Sequence, residues 1–351
     1  MKIDSYNTKK IKVLSSVLIL LVLYIHSFYN EAIGTKYASF VQVFLGNGGV
    51  SNVAVPMFFA ISGVLFFNGV TSIKDCFPKI KKRIKSLLIP YVIWNIIFIF
   101  WFVVLQNLPF TKNMINSDVV SKVFCSSLID SLNFVFVKPA AFHLWFLRDL
   151  LIMVFLSPII YVFMKYTKWY GVAALLLLTP FIRSLSQTFD QFGIAFFALG
   201  GVMGLSLDVN TLSEKISKPV TIISAIIFMS VSFIHALHIQ TNFPLLTIVQ
   251  ILAGMVVFWK FYDYFASKES IKKIFKPING ILGYSFFVYL FHEPAFNILK
   301  KIGLIVLGSS EGALILLFLV NPIIMMAISV AVAKILKRII PSVYSVFVGG
   351  R

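Results

Sequence analysis

Apolar stretches near twenty residues long recur along the chain from about residue 13 to about residue 335, with short polar breaks between them. A helix of that length rises about 30 Å, the thickness of a bilayer's hydrocarbon core. Only 13% of the 351 residues are charged, against about a quarter in a soluble domain, so the chain cannot surround itself with a polar surface. The pattern predicts an all-α, polytopic membrane protein with about ten spans. They fall at roughly 13–29, 50–69, 87–106, 144–163, 170–187, 191–207, 219–238, 243–262, 280–299 and 312–335. The first span is too long for a signal peptide, and no small-residue cleavage site follows Tyr24 to Phe28, so it is expected to be retained.

The formal net charge is +18, and its placement matters more than its size. Lys2, Lys9, Lys10, Lys12, the Lys74–Lys85 cluster, Lys165, Lys168, Lys215, Lys218, Lys260 to Lys276, Lys334, Lys337, Arg338 and Arg351 fall on one side of the expected spans. Lys36, Lys112, Lys122, Lys138, Arg183, Lys300 and Lys301 fall on the other. The richer side is the cytoplasmic one by the positive-inside rule, which places both termini in the cytoplasm. The basic residues thus meet anionic headgroups, and nucleic acid is not an expected partner. The longest outer connection, about 107–142, carries an amphipathic stretch from Val119 to Val137. Cys76 and Cys125 fall on opposite sides, so no disulfide joins them.

Ionisable groups inside an apolar span are expensive, and each therefore marks a candidate site. His26 lies in the first span and His292 in the ninth, followed by Glu293 and Pro294. Pro294 removes the hydrogen bond to the Leu290 carbonyl and should break the helix beside the His–Glu pair. An imidazole next to a carboxylate in a low-dielectric site suits general-base chemistry, or alternatively helix packing. The fourth span opens with His143, Trp145, Arg148 and Asp149, the last three on one helical face. They form either an acceptor-binding wall or a buried pair that fixes helix packing. The run Lys81-Lys82-Arg83-Ile84-Lys85 is either a positive-inside signal or a phosphate site at the start of span three. Ser62-Gly63 in span two allows close helix approach. No HExxH, P-loop, GxSxG or CxxC occurs, so neither a metal cofactor nor ATP is expected.

Five segments in this order resemble the membrane acyltransferase 3 family over about residues 8–338. They are Val22-Leu23-Tyr24-Ile25-His26-Ser27, Val55-Pro56-Met57-Phe58-Phe59 with Ser62-Gly63, the basic run into Ile89-Pro90-Tyr91, His143-Leu144-Trp145-Phe146-Leu147, and Tyr289-Leu290-Phe291-His292. The resemblance implies O-acetylation of a cell-envelope saccharide or lipid-linked glycan from cytoplasmic acetyl-CoA, in the bacterial cytoplasmic membrane. It makes the first-span His26 essential and maps the coenzyme A contacts onto Lys82, Arg83 and Lys85. The family's arginine eleven residues before the histidine is absent here, where Ser15 stands. Lys12, one turn further down about the same face, is the expected substitute. The expected catalytic set is thus His26, His292 and Glu293, the donor-binding set Lys12, Lys82, Arg83 and Lys85, and the acceptor-binding set His143, Trp145, Arg148 and Asp149. The rival reading is a transporter or flippase of a lipid-linked or small anionic substrate, with a polysaccharide polymerase third. One dense basic cluster and no pair of glycine-broken helices weigh against transport.

Overall fold

A computed structural model describes residues 3–107, 127, 129–131, 136–182, 191–237, 244–266 and 280–350. The amphipathic 119–137 stretch lies mostly outside these residues, as do Cys125 and the basic positions Lys2, Lys112, Lys122, Arg183, Lys268, Lys272, Lys273, Lys276 and Arg351. The regular elements among the described residues are all helices, with no strand among them. In chain order the helices are α1 Ser5–His26, α2 Tyr37–Leu45, α3 Ala54–Phe67, α4 Cys76–Arg83, α5 Ile89–Asn107, α6 Trp145–Phe155, α7 Ser157–Ile182, α8 Gln191–Ser206, α9 Leu212–Lys215, α10 Lys218–Leu237, α11 Pro244–Ala266, α12 Ser285–Leu307, α13 Glu311–Ile339 and α14 Pro341–Phe347.

Among the described residues, five segments are long and apolar enough to cross a membrane, or seven if two sharply bent helix pairs count as one span each. The expected ten is not reached by this measure, for identifiable reasons. Helix α1 carries Lys9, Lys10 and Lys12, and α12 carries Glu293, Lys300 and Lys301, which lowers both below a plain apolar span. The fourth expected span breaks after Phe155, where the chain bends by 67° into α7. Helix α7 breaks in turn at Lys168, whose φ of 51° is left-handed, so the expected fourth and fifth spans meet at a tight corner there. Exposed apolar side chains such as Phe100, Ile222, Ile226 and Ile323 cover the outward faces of α5, α10 and α13, as a lipid-facing surface requires.

Two packing devices set the frame around the site. Helices α3 and α8 cross on small residues. A Cβ on Gly63 would lie 2.1 Å from the Phe197 carbonyl oxygen, and one on Gly200 would lie 1.9 Å from that of Ala60. The Ser62-Gly63 step thus serves close approach. At the lysine-rich end, Lys10 is fully buried. Its Nζ sits 2.8 Å from Asp263 Oδ1, 2.7 Å from Ser213 Oγ and 4.1 Å from the Trp259 ring centre. Burial lowers this ammonium to about 8 against the pull of Asp263. The contact ties the start of α1 to α9 and α11. Beyond α3, Asp75 fastens the start of α4: the backbone N–H groups of Thr71 and Ser72 donate to its carboxylate and hold it down at about 2.

Candidate active site

Helix α1 ends at His26, with Ser27 as its C-cap, three residues short of the expected 13–29 span, so the imidazole stands in the last turn. Lys12, Ser15, Ile19, Val22 and His26 all line one cavity of about 730 Å³. Their spacing of three, four, three and four residues is one face of a helix. The cavity starts among Lys12, Ser15 and Arg83, passes His26, His143, Trp145, Tyr289 and His292, and also reaches Asn47 and Asn52 beyond the end of α2. Its flanks are apolar side chains of α3, α6 and α8, among them Phe58, Phe146 and Phe197. It therefore joins the basic end of the bundle to the level at which α1 ends.

At that level three imidazoles converge. The ring centre of His292 lies 5.1 Å from that of His26 and 4.9 Å from that of His143. His26 Nδ1 is 3.9 Å from Glu293 Oε1, and Asn297 Nδ2 donates to Glu293 Oε2 at 2.6 Å. Pro294 explains the assembly. Helix α12 breaks at Glu293, whose ψ of 140° is extended. The Leu290 carbonyl that proline leaves without its helical donor receives His143 Nε2–H at 3.3 Å. His292 Nδ1–H donates to the Tyr289 carbonyl at 2.8 Å. These bonds fix both tautomers, because a carbonyl only accepts: His292 Nε2 and His143 Nδ1 each keep a lone pair. Both atoms are buried and make no hydrogen bond.

The remaining predicted residues divide. Arg83 lines the cavity, at the point where a π-helical turn, Ile84–Leu88, joins α4 to α5. Such turns are frequent at functional sites. Lys82 and Lys85 are exposed and lie outside the lining. Trp145 lines the cavity, whereas Arg148 and Asp149 do not. Arg148 Nε donates to Asp149 Oδ1 at 2.7 Å, and its guanidinium also reaches the Val137 carbonyl. His143, expected on the acceptor side, lines the cavity and also packs against His292 in the histidine cluster. Ser15 donates to the Ile11 carbonyl at 2.8 Å, within its own helix. Two contributors escaped the sequence reading, Asn297 and Lys300. Lys300 Nζ donates to the His26 carbonyl at 3.1 Å and lies 5.4 Å from the Tyr29 ring centre. The Glu-x-x-x-Asn spacing of a helical turn was the available signal for Asn297.

A family model described as "Acyltransferase domain" matches residues 9–338, nearly the whole chain. The chain belongs to the acyltransferase 3 family. It is an acyltransferase built into a membrane, and the histidine-lined cavity is its candidate active site. The chain is also similar to "Succinoglycan biosynthesis protein ExoH" of Rhizobium meliloti (strain 1021), with 23% identity over 369 residues that cover 99% of this chain and 94% of the relative. No solved structure matches it significantly.

Proposed function

We propose that this acyltransferase moves an acetyl group from cytoplasmic acetyl-CoA to a hydroxyl of a cell-envelope saccharide, with both chain termini in the cytoplasm of a bacterium. The observation that carries the reading is the cavity itself. It is lined by Lys12 and Arg83 toward the basic end of the bundle, and by His26, Asn47, Asn52 and Trp145 toward the end of α1. Cationic groups at one end suit the phosphates of coenzyme A, and amide and indole groups at the other suit a sugar. The saccharide acceptor follows the relative, whose name assigns it to the biosynthesis of succinoglycan.

In the reaction the acceptor hydroxyl adds to the thioester carbonyl while His26 takes its proton. The tetrahedral adduct then expels the coenzyme A thiolate, which recovers a proton on leaving. Glu293 lies within ion-pair reach of His26 Nδ1 and stabilises the imidazolium that forms. Asn297 holds the other carboxylate oxygen and so fixes the direction from which Glu293 acts.

The test uses purified protein in lipid vesicles with acetyl-CoA inside and a saccharide acceptor outside. Coenzyme A release and acetylated saccharide should appear together for the native chain. His26→Ala should lower both by at least about a hundredfold, the scale of a lost general base, while the protein still inserts and purifies. Normal acetylation by His26→Ala removes His26 from the mechanism.

A further inference from the structure

We infer that His26, His292 and Glu293 form a binding site for a divalent cation of the zinc class, and that filling it stops acyl transfer. The blocking half of this inference rests on the role proposed for His26, whereas the binding half stands on geometry alone. One nitrogen of each imidazole and one carboxylate oxygen lie within 4.8 Å of one another. Donors around a tetrahedral zinc stand about 3.3 Å apart, given metal–ligand distances near 2.0–2.1 Å. The set therefore closes onto a metal with side-chain shifts of an ångström or so.

Three features separate this cluster from a chance meeting of polar groups. First, His292 Nε2 is fully buried, carries a lone pair and has no hydrogen-bond partner. A buried acceptor left unmatched calls for a water or an ion. Second, the groups behind the donors are those that orient metal ligands. His292 donates its other N–H to the Tyr289 carbonyl at 2.8 Å, and Asn297 donates to the far oxygen of Glu293 at 2.6 Å. A ligating histidine is commonly held by a backbone carbonyl in this way, and a ligating carboxylate by a further hydrogen bond. Third, His26 and His292 both line the cavity, whose volume of about 730 Å³ has room for a water as fourth ligand.

The blocking effect follows from which electrons the metal uses. A neutral imidazole has a single lone pair, so zinc on either nitrogen of His26 leaves none to accept the acceptor's proton. A filled site and a general base cannot coexist on one ring. The Lys300 ammonium opposes a dication: it donates to the His26 carbonyl at 3.1 Å, and its charge acts on Glu293. Glu31 partly offsets it. Replacing Lys300 by methionine should accordingly tighten binding.

The experiment titrates chelator-treated, purified protein with Zn2+ alone by calorimetry and with Co2+ alone by visible absorption, then measures coenzyme A release in the same samples. One ion should bind per chain, with the intense ligand-field bands of four-coordinate Co2+. Glu293→Gln and His292→Asn should weaken binding at least about tenfold, and Asn297→Ala by about tenfold, as loss of such supporting bonds does elsewhere. Lys300→Met should tighten it, a gain that a misfolded variant cannot mimic. Coenzyme A release should fall as the site fills and return with chelator. Equal affinity in the native chain and in Glu293→Gln overturns the site. Tight binding without loss of turnover, or with increased turnover, overturns the blocking half. A native chain that binds the ion through these residues but never releases coenzyme A leaves the site standing and refutes the acyl-transfer reading instead.

Discussion

Lys12 is the only lysine of α1 on the cavity wall, and Ser15 beside it turns its hydroxyl back to its own helix. A flexible ammonium at the mouth can meet a phosphate as a point charge, without the two-pronged grip of a guanidinium. Lys12→Gln should therefore raise KM for acetyl-CoA several-fold with kcat little changed, and Ser15→Arg in that background should recover part of the loss. An unchanged KM in steady-state assays would return Lys12 to topology alone. Asn297→Ala should show the opposite split, a kcat about tenfold lower at constant KM, because it loosens Glu293 without touching the donor's path. Both histidines were legible in the sequence because an imidazole within an apolar stretch needs a reason. Lys300 was not. It follows Pro294, and past a broken turn the helical register no longer predicts which residue faces which, so a lysine assigned to an outer loop proves to reach His26.

Among the elements, the α3–α8 crossing and the Lys10–Asp263 contact are the most sensitive to change. Gly63→Ala or Gly200→Ala must push two backbones apart, since the added carbon meets a carbonyl oxygen at about 2 Å. Overpacking of this kind costs about 1–3 kcal/mol, and either variant should melt earlier in detergent than the native chain. A melting temperature unchanged in both would mean that the helices separate freely. Lys10→Met leaves Asp263 without its buried cation and should destabilise by about 3–5 kcal/mol, as loss of one member of such a pair does. Adding Asp263→Leu should restore much of that stability in the same melts. The glycine step was readable from Ser62-Gly63. The lysine contact was not, because Lys9, Lys10 and Lys12 look alike in a basic run and only packing selects the one that turns inward.

On the scale of the whole molecule, the apolar stretches located the longer helices but not the short α2, α4 and α9, and of the ten expected spans five to seven meet the length and apolarity of a crossing among the described residues. Periodicity finds an apolar helix whether or not it crosses a bilayer in one piece. The 67° bend after Phe155 coincides with Pro158, which has no N–H to give the Val154 carbonyl, so the sequence marks a break there but not its angle. Orientation is the property on which the donor assignment depends. Lys12 and Arg83 mark one end of the cavity and His26 the level at which α1 ends, so acetyl-CoA can come from the cytoplasm only if the Lys82 loop faces it. The charge split supports that orientation, because lysine-rich loops resist transfer across the membrane. Cysteine placed at Lys82 or at Glu31, both exposed, in a chain whose own Cys76 and Cys125 are replaced by serine, gives a direct readout with an impermeant maleimide. Position 31 should label in intact cells and position 82 only after lysis. The reverse pattern would put the cationic mouth outside, away from the coenzyme A pool. The cavity could then still guide an anion to His26, but its donor would have to be a different, extracytoplasmic acyl carrier.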